Sequence, residues 1–218
     1  NLGEYQKAIE YYEKGLQIST EIGDRSGIAS NNGNLGNAYL HLGEYKKAIE
    51  YYEEGLQIST DIGDRSGIAS HNGNLGNSYL SLGEYQKAIE YYEEGLKIST
   101  EIEDRSGIAS NNGNLGNAYF TLGEYQKAIK YYEKGLQIST EIEDRSGIAS
   151  KNGNLGNAYC NLGEYQKAIQ YCKKGLQIST EIGDRSEIGS NNGNLGNAYL
   201  HLGEYQKAIE YYEKGLQI

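Results

Sequence analysis

The chain contains no proline, methionine or tryptophan, a single phenylalanine and only two cysteines. Without proline, no position is barred from a helix interior by a missing backbone N–H. The two cysteines are no disulfide framework of the kind that staples small secreted domains. Cys160 and Cys172 stand where another segment of the chain carries Leu40 and Tyr52. Free thiols in a reducing, cytoplasmic setting are the expectation. Positive charge is scarce: 20 Lys and Arg against 30 Asp and Glu leave a net charge of −10. That argues against a nucleic-acid partner, which needs a basic face, and against an anionic membrane surface. No apolar run approaches the roughly 20 residues of a membrane span, and no signal-peptide core is present.

What is abundant is tyrosine, 22 residues, and it recurs with the rest of a strict period. The stretch Asn34-Leu35-Gly36-Asn37-Ala38-Tyr39 returns at Asn74, Asn114, Asn154 and Asn194, with Ser78 for the alanine in one copy. A fixed period in the range of about 20–50 residues marks an architecture of stacked repeats, each packed on its neighbours. Within one copy, Ile28, Asn32, Leu35, Tyr39 and Leu42 trace a helical stripe, which defines a helix A. Asp24 is its N-cap; in the last copy Asp184 and Glu187 have capping-box spacing. Gly43 ends it. Asn32-Gly33 is also a hairpin signal, but the stripe runs straight through the pair and predicts helix. Gly27, Gly33 and Gly36 each cost about 1 kcal/mol against alanine, so helix A needs its neighbours.

Helix B is predicted over 44–62. Its apolar residues, among them Tyr45, Ala48, Ile49, Tyr52, Gly55 and Leu56, form a face wide enough for two neighbouring A helices. Gly63 closes it, replaced by Glu103 and Glu143 in two copies. The expected organisation is one array over 1–218: an unpaired helix B at 1–23, then A–B repeats at 24–63, 64–103, 104–143, 144–183 and 184–218. The first residue falls inside a repeat, so the chain is expected to be a piece of a longer one, with its first helix half covered.

These residues resemble the tetratricopeptide repeat. That family's Leu-Gly-x-x-Tyr of helix A is Leu35, Gly36 and Tyr39 here, and its alanine, aromatic and small residue of helix B are Ala48, Tyr52 and Gly55. All five copies match, with Cys172 breaking the aromatic position. The resemblance implies an all-α fold, a right-handed superhelical solenoid of antiparallel helix pairs. Two departures stand out. The repeat is 40 residues rather than 34, with Thr60 at the usual proline, and Asn32 takes the place of a bulky group, leaving that contact weak or water-filled. The longer period, with Gly23-Asp24-Arg25 and the Leu-Gly-Asn run, looks like the Leu-Gly-Asn-repeat spindle-orientation adaptors, the G-protein-signalling modulators. It looks equally like arrays fused to signalling or protease modules in bacteria and invertebrates. In the adaptors, asparagines on the inner helices bind an extended peptide, helped by arginines. The asparagines map onto Asn34 and Asn37; the arginine position maps onto Ser30 or Ala29, which argues against an acidic peptide.

The resemblance puts helix A on the concave side, and helical spacing puts Ser30, Asn34, Asn37 and His41 on one face of it. The expected groove is a ladder of Asn34, Asn74, Asn114, Asn154 and Asn194, with Asn37, Asn77, Asn117, Asn157 and Asn197 beside it. Each amide offers a donor and an acceptor, which suits a peptide backbone. The alternative reading of Asn37 is a bond within its own repeat or between neighbouring helices. The positions that vary most between copies are candidates for specificity: Leu40, Leu80, Phe120, Cys160 and Leu200, and His41, Ser81, Thr121, Asn161 and His201, with Phe120 as an aromatic anchor. A third set is Asn31, His71, Asn111, Lys151 and Asn191. Neutral drift is the competing account of this variation. No histidine repeats with a ligand at metal spacing, no nucleophile–base pair stands out, and Gly33-Asn34-Leu35-Gly36 lies mid-helix, unlike a phosphate loop. The reading is a protein or peptide scaffold, neither enzyme nor cofactor carrier. The alternative is a structural or self-associating spacer in a larger signalling protein.

Overall fold

The computed structural model describes residues 2–217, and all the regular structure among them is helical. The chain divides into two compact units, Asn1–Gly107 and Ile108–Ile218. The first holds α1 (Leu2–Glu21), α2 (Arg25–His41), α3 (Tyr45–Ile62), α4 (Arg65–Ser81) and α5 (Tyr85–Glu101). α6 (Arg105–Thr121) begins at the end of the first unit and runs into the second. There follow α7 (Tyr125–Glu141), α8 (Arg145–Asn161), α9 (Tyr165–Ile182), α10 (Arg185–His201) and α11 (Tyr205–Leu216). Odd numbers are B helices and even numbers A helices.

The boundaries follow from local chemistry. Asp24 caps α2, its Oδ1 accepting from the N–H of Gly27 at 3.0 Å. The same cap recurs at Asp64, Asp104, Asp144 and Asp184. Helix A ends on a left-handed residue, Gly43 at φ +78. Glu44, the residue before α3, makes no side-chain cap but holds Lys47 at 2.6 Å. Thr60, where the family has proline, returns its hydroxyl to the carbonyl of Leu56 at 2.8 Å and lets helix B continue. Helix B then closes on Gly63 at φ +71, and on Glu103 and Glu143 at φ +57 where the glycine is missing.

One expectation is corrected here. Asp184 and Glu187 form only half of a capping box. The Asp184 N–H donates to the carbonyl of Ser179 at 2.9 Å, so it has no need of the Glu187 carboxylate, which turns to Ser150 and Lys151.

Within the first unit α1 to α5, and within the second α7 to α11, pack on their sequence neighbours, α2 meets α4 as α8 meets α10, and α6 meets α7 through Tyr132 and Asn117. The core of each unit is built from clusters at the helix seams. Ile9, Leu35 and Ala38 close the seam of α1 and α2; Ala48, Ile49, Tyr52 and Leu75 that of α3 and α4. In the second unit one cluster runs from Ala128 to Ala208. Leu35, Leu75, Leu115, Leu155 and Leu195 have no exposed surface, each gaining about 1.5–3 kcal/mol from burial. On the other side of each pair two tyrosines stack, Tyr39 on Tyr51 at 5.4 Å and likewise in the remaining copies. Apolar side chains of α1 and α11 stay bared, Tyr11 and Ile18 on the first, Tyr205 and Leu216 on the second. Among the described residues no helix is long and apolar enough to cross a membrane.

Candidate functional site

The A helices carry the candidate face. Asn34, Asn74, Asn114, Asn154 and Asn194 are all half-buried, each directly before a fully buried leucine. In the first unit, the side-chain amides of Asn34 and Asn74 make no hydrogen bond among the described residues. Both line one open cavity of about 370 Å³ between α2 and α4. In the second unit two of these amides bridge successive A helices at long range. Asn154 Nδ2 donates to Asn117 Oδ1 at 3.4 Å, and Asn194 Nδ2 to the carbonyl of Gly153 at 3.4 Å. Both bonds lie beyond the usual N–H···O range.

The companion amides are committed. Tyr52 donates its hydroxyl to Asn37 Oδ1 at 2.7 Å. Tyr92 does so to Asn77, Tyr132 to Asn117 and Tyr212 to Asn197. Burial raises the pKa of the Tyr52, Tyr92 and Tyr132 phenols, so they stay protonated and remain donors. Of the two sequence readings for Asn37, the bond within the repeat accounts for its oxygen. Its amide nitrogen sits on an exposed residue. Where Cys172 replaces the tyrosine, Asn157 Oδ1 accepts instead from Asn161 Nδ2 at 3.2 Å. No pattern within helix A signals the tyrosine, which comes from the next helix.

The candidate specificity positions divide. His41, Ser81, Thr121, Asn161 and His201 are exposed. His41 stacks on Tyr5 and His201 on Tyr165, ring centroids 5.2 Å apart in both. Leu200 is exposed as well, whereas Leu40, Leu80 and Phe120 are half-buried. Leu40 and Phe120 pack on core clusters, and Phe120 also lies 5.3 Å from the Tyr125 ring, which spends much of the surface an anchor would offer. Cys160 is a correction: it is 8 % exposed and belongs to the core. Its burial in the cluster that also holds Cys172 keeps it out of a ligand's reach. Both thiols are free and buried, and burial, with the Cys160 thiol beside it, pushes Cys172 up to about 12.

The third variable set is corrected too. Its members plug the gap opposite a helix-B glycine. A Cβ on Gly15 would stand 2.6 Å from Asn31 Oδ1, and one on Gly175 2.5 Å from Asn191 Oδ1; Gly55 faces His71 in the same way. The Asn32 position is buried as well. Its equivalents Asn72, Asn112, Asn152 and Asn192 return their Nδ2 to the carbonyl four residues back at 2.8 Å. Oδ1 of Asn32, Asn112 and Asn192 is buried without a partner. Among the described residues, no group of three or more His, Cys, Asp or Glu could hold a metal ion.

A family model described as tetratricopeptide repeat matches residues 1–61, 67–141 and 147–218. Among solved structures, BtubC (BKLC) from P. vanneervenii superposes with a TM-score of 0.85 at 21% identity, covering 98% of this chain and 90% of that one. A Rap protein complexed with competence and sporulation factor gives 0.78 at 16% identity, covering 99% and 70%. A putative kinesin light chain of Podosopora anserina with nearly identical TPR-like repeats gives 0.72 at 20%, covering 88% and 95%. At these identities the likeness is one of fold. No curated protein matches the sequence significantly. With the family model spanning nearly the whole chain, and helix pairs stacked in both units, the chain belongs to the tetratricopeptide repeat family.

Proposed function

We propose that the chain is one continuous array, with repeats at 24–63, 64–103, 104–143, 144–183 and 184–218, and that its A helices hold an extended peptide of a partner protein. The tetratricopeptide fold itself points to protein–protein interaction. One observation carries the finer reading. Asn34 and Asn74 present amides that no protein group occupies, side by side on one open cavity, while the neighbouring Asn37 and Asn77 are held in place by tyrosines. An amide that is both donor and acceptor, repeated along a trough, matches the one donor and one acceptor per residue of a peptide main chain. The likeness to the Leu-Gly-Asn-repeat adaptors supports the same role for these asparagines.

The test is a peptide selected from a random library on the intact chain. Alanine at Asn34 or Asn74 should weaken it about fivefold each, the worth of roughly one net hydrogen bond, with the thermal midpoint unchanged. Undiminished affinity in the double variant would end the reading. Self-association is the second reading, favoured by the bared apolar side chains of α1 and α11; light scattering that shows mass growing with concentration, without ligand, would support it.

A further inference from the structure

The repeats are near-copies, so a position that changes the sign of its charge between them stands out. The solvent side of helix B does so. In the first unit α3 exposes Glu50, Glu53 and Glu54, and α5 exposes Glu90, Glu93 and Glu94. At the same positions α7 exposes Lys130, Glu133 and Lys134, and α9 exposes Gln170, Lys173 and Lys174. Three and four residues apart, these side chains share one face of each helix. The reversal shows in the totals. Asn1–Gly107 holds 9 Lys and Arg against 18 Asp and Glu, whereas Ile108–Ile218 holds 11 against 12. The net charge of −10 therefore belongs almost wholly to the first unit.

The lysines that change sign differ from those every copy shares. Lys127 and Lys167, common to all copies, bridge to Glu124 and Glu164 at the start of their helices. Lys134 and Lys174 lie instead over tyrosine rings, 5.4 and 5.6 Å from the centroids. Beside them an open cavity of about 420 Å³ lies between α7 and α9. Lys174 stands on its lining, with the half-buried Leu136, Ile148, Tyr171 and Ile178. The second unit thus presents a cationic helix face with apolar surface next to it. The complement of that face is in the chain itself. One repeat builds both faces, so α3 and α5 carry their glutamates at the helical positions where α7 and α9 carry their lysines.

We propose that the α7 and α9 face of one chain docks on the α3 and α5 face of a second copy, lysines against glutamates. An exposed ion pair is worth little alone, so the association depends on several pairs acting together, and it is sensitive to salt. The docking uses helix B only. It is independent of the peptide groove on the A helices and of the bared apolar side chains of α1 and α11.

Sedimentation equilibrium of the intact chain reads the docking directly. At about 0.1 M salt the screening length is about 10 Å, which damps repulsion between whole molecules and spares charges in contact; at about 1 M it is about 3 Å and the contacts weaken too. The apparent mass should rise with concentration at the lower salt and stay that of one chain at the higher. Lys173→Glu with Lys174→Glu copies Glu53 and Glu54, and Glu53→Lys with Glu54→Lys copies Lys173 and Lys174, so each double variant uses residues the repeat already accepts. Each alone should lower the association constant about tenfold. An equimolar mixture of the two, which sets acid against base again, should recover it. Association that persists at the higher salt and in both variants belongs to the bared ends of α1 and α11 and overturns the proposal. A wild-type chain that stays single at the lower salt overturns it as well, as does a mixture that fails to recover. If the single chain then binds poly-glutamate, the basic face serves an acidic partner and docking on a second copy falls.

Discussion

At the scale of the residue, the sharpest departures are Glu103 and Glu143. Both sit at φ +57, in the left-handed region that Gly23, Gly63 and Gly183 occupy at φ +70 to +72 in the other copies. A side chain there meets the carbonyl that glycine avoids, at a cost of about 1 kcal/mol or more. Glu103→Gly and Glu143→Gly should therefore each raise the free energy of unfolding by about 1 kcal/mol, read as a higher urea midpoint at constant slope. A lower midpoint would mean that the carboxylates make contacts worth more than the strain. A residue of the opposite kind is Asn37, whose exposed position hides a structural bond to Tyr52. Its replacement confounds binding with stability, so Asn34 is the cleaner probe of the groove.

At the scale of the element, the A helices invert the ordinary rules of helix propensity. In an isolated helix alanine beats glycine by about 1 kcal/mol. Here a Cβ on Gly36 would stand 2.5 Å from Cε1 of the fully buried Tyr52 ring. The ring cannot retreat, because its hydroxyl is tied back to Asn37 on the same helix. Gly36→Ala should thus lower stability by about 1–3 kcal/mol through overpacking, measured as a fall in thermal midpoint. Stabilisation would show that the close approach of α2 and α3 is not what selects glycine. The same close approach explains why a helix with three glycines persists: its backbone meets an aromatic face, and the packing outweighs the lost propensity.

At the scale of the whole molecule, stability responds to pH through two bases in equivalent positions, the buried His71 and the half-buried Lys151. Burial lowers the proton affinity of Lys151 below its ordinary 10.5, against the pull of Asp144 and Glu187. The unfolded chain then holds this proton more tightly than the folded one, so the penalty is fully present below the folded value and vanishes above the unfolded one. Lys151→Asn, the residue three other copies use there, should raise the thermal midpoint at neutral pH, with the gain shrinking as the pH rises toward 10.5. His71 follows the same sign lower down, its contribution to stability falling as the pH drops through its ordinary 6.5 toward the depressed folded value. His71→Asn should flatten that decline in a pH series of thermal midpoints. An unchanged slope would place the titrating group elsewhere.

The amino-acid sequence determined the repeat, the order of A and B helices, the aspartate caps, the glycine stops and the leucine stripe. Each of these depends on residues within a few turns of one another, where helical spacing and side-chain chemistry act directly. Asn32-Gly33 shows the strength of such a pattern, since the stripe outweighed the hairpin signal and α2 runs through the pair. The tertiary structure alone decided which polar residues face a neighbour and which stay open. Asn31, Asn34 and Asn37 are chemically identical, yet the first plugs a gap opposite Gly15, the second is unoccupied, and the third is bound by Tyr52. Helix A has neighbours on several sides, and about 100° of rotation per residue separates buried from open. Polar side chains stand on both sides of that border, so hydrophobic periodicity could not draw it. Only the approach of the next helix, with its glycine or its tyrosine, did.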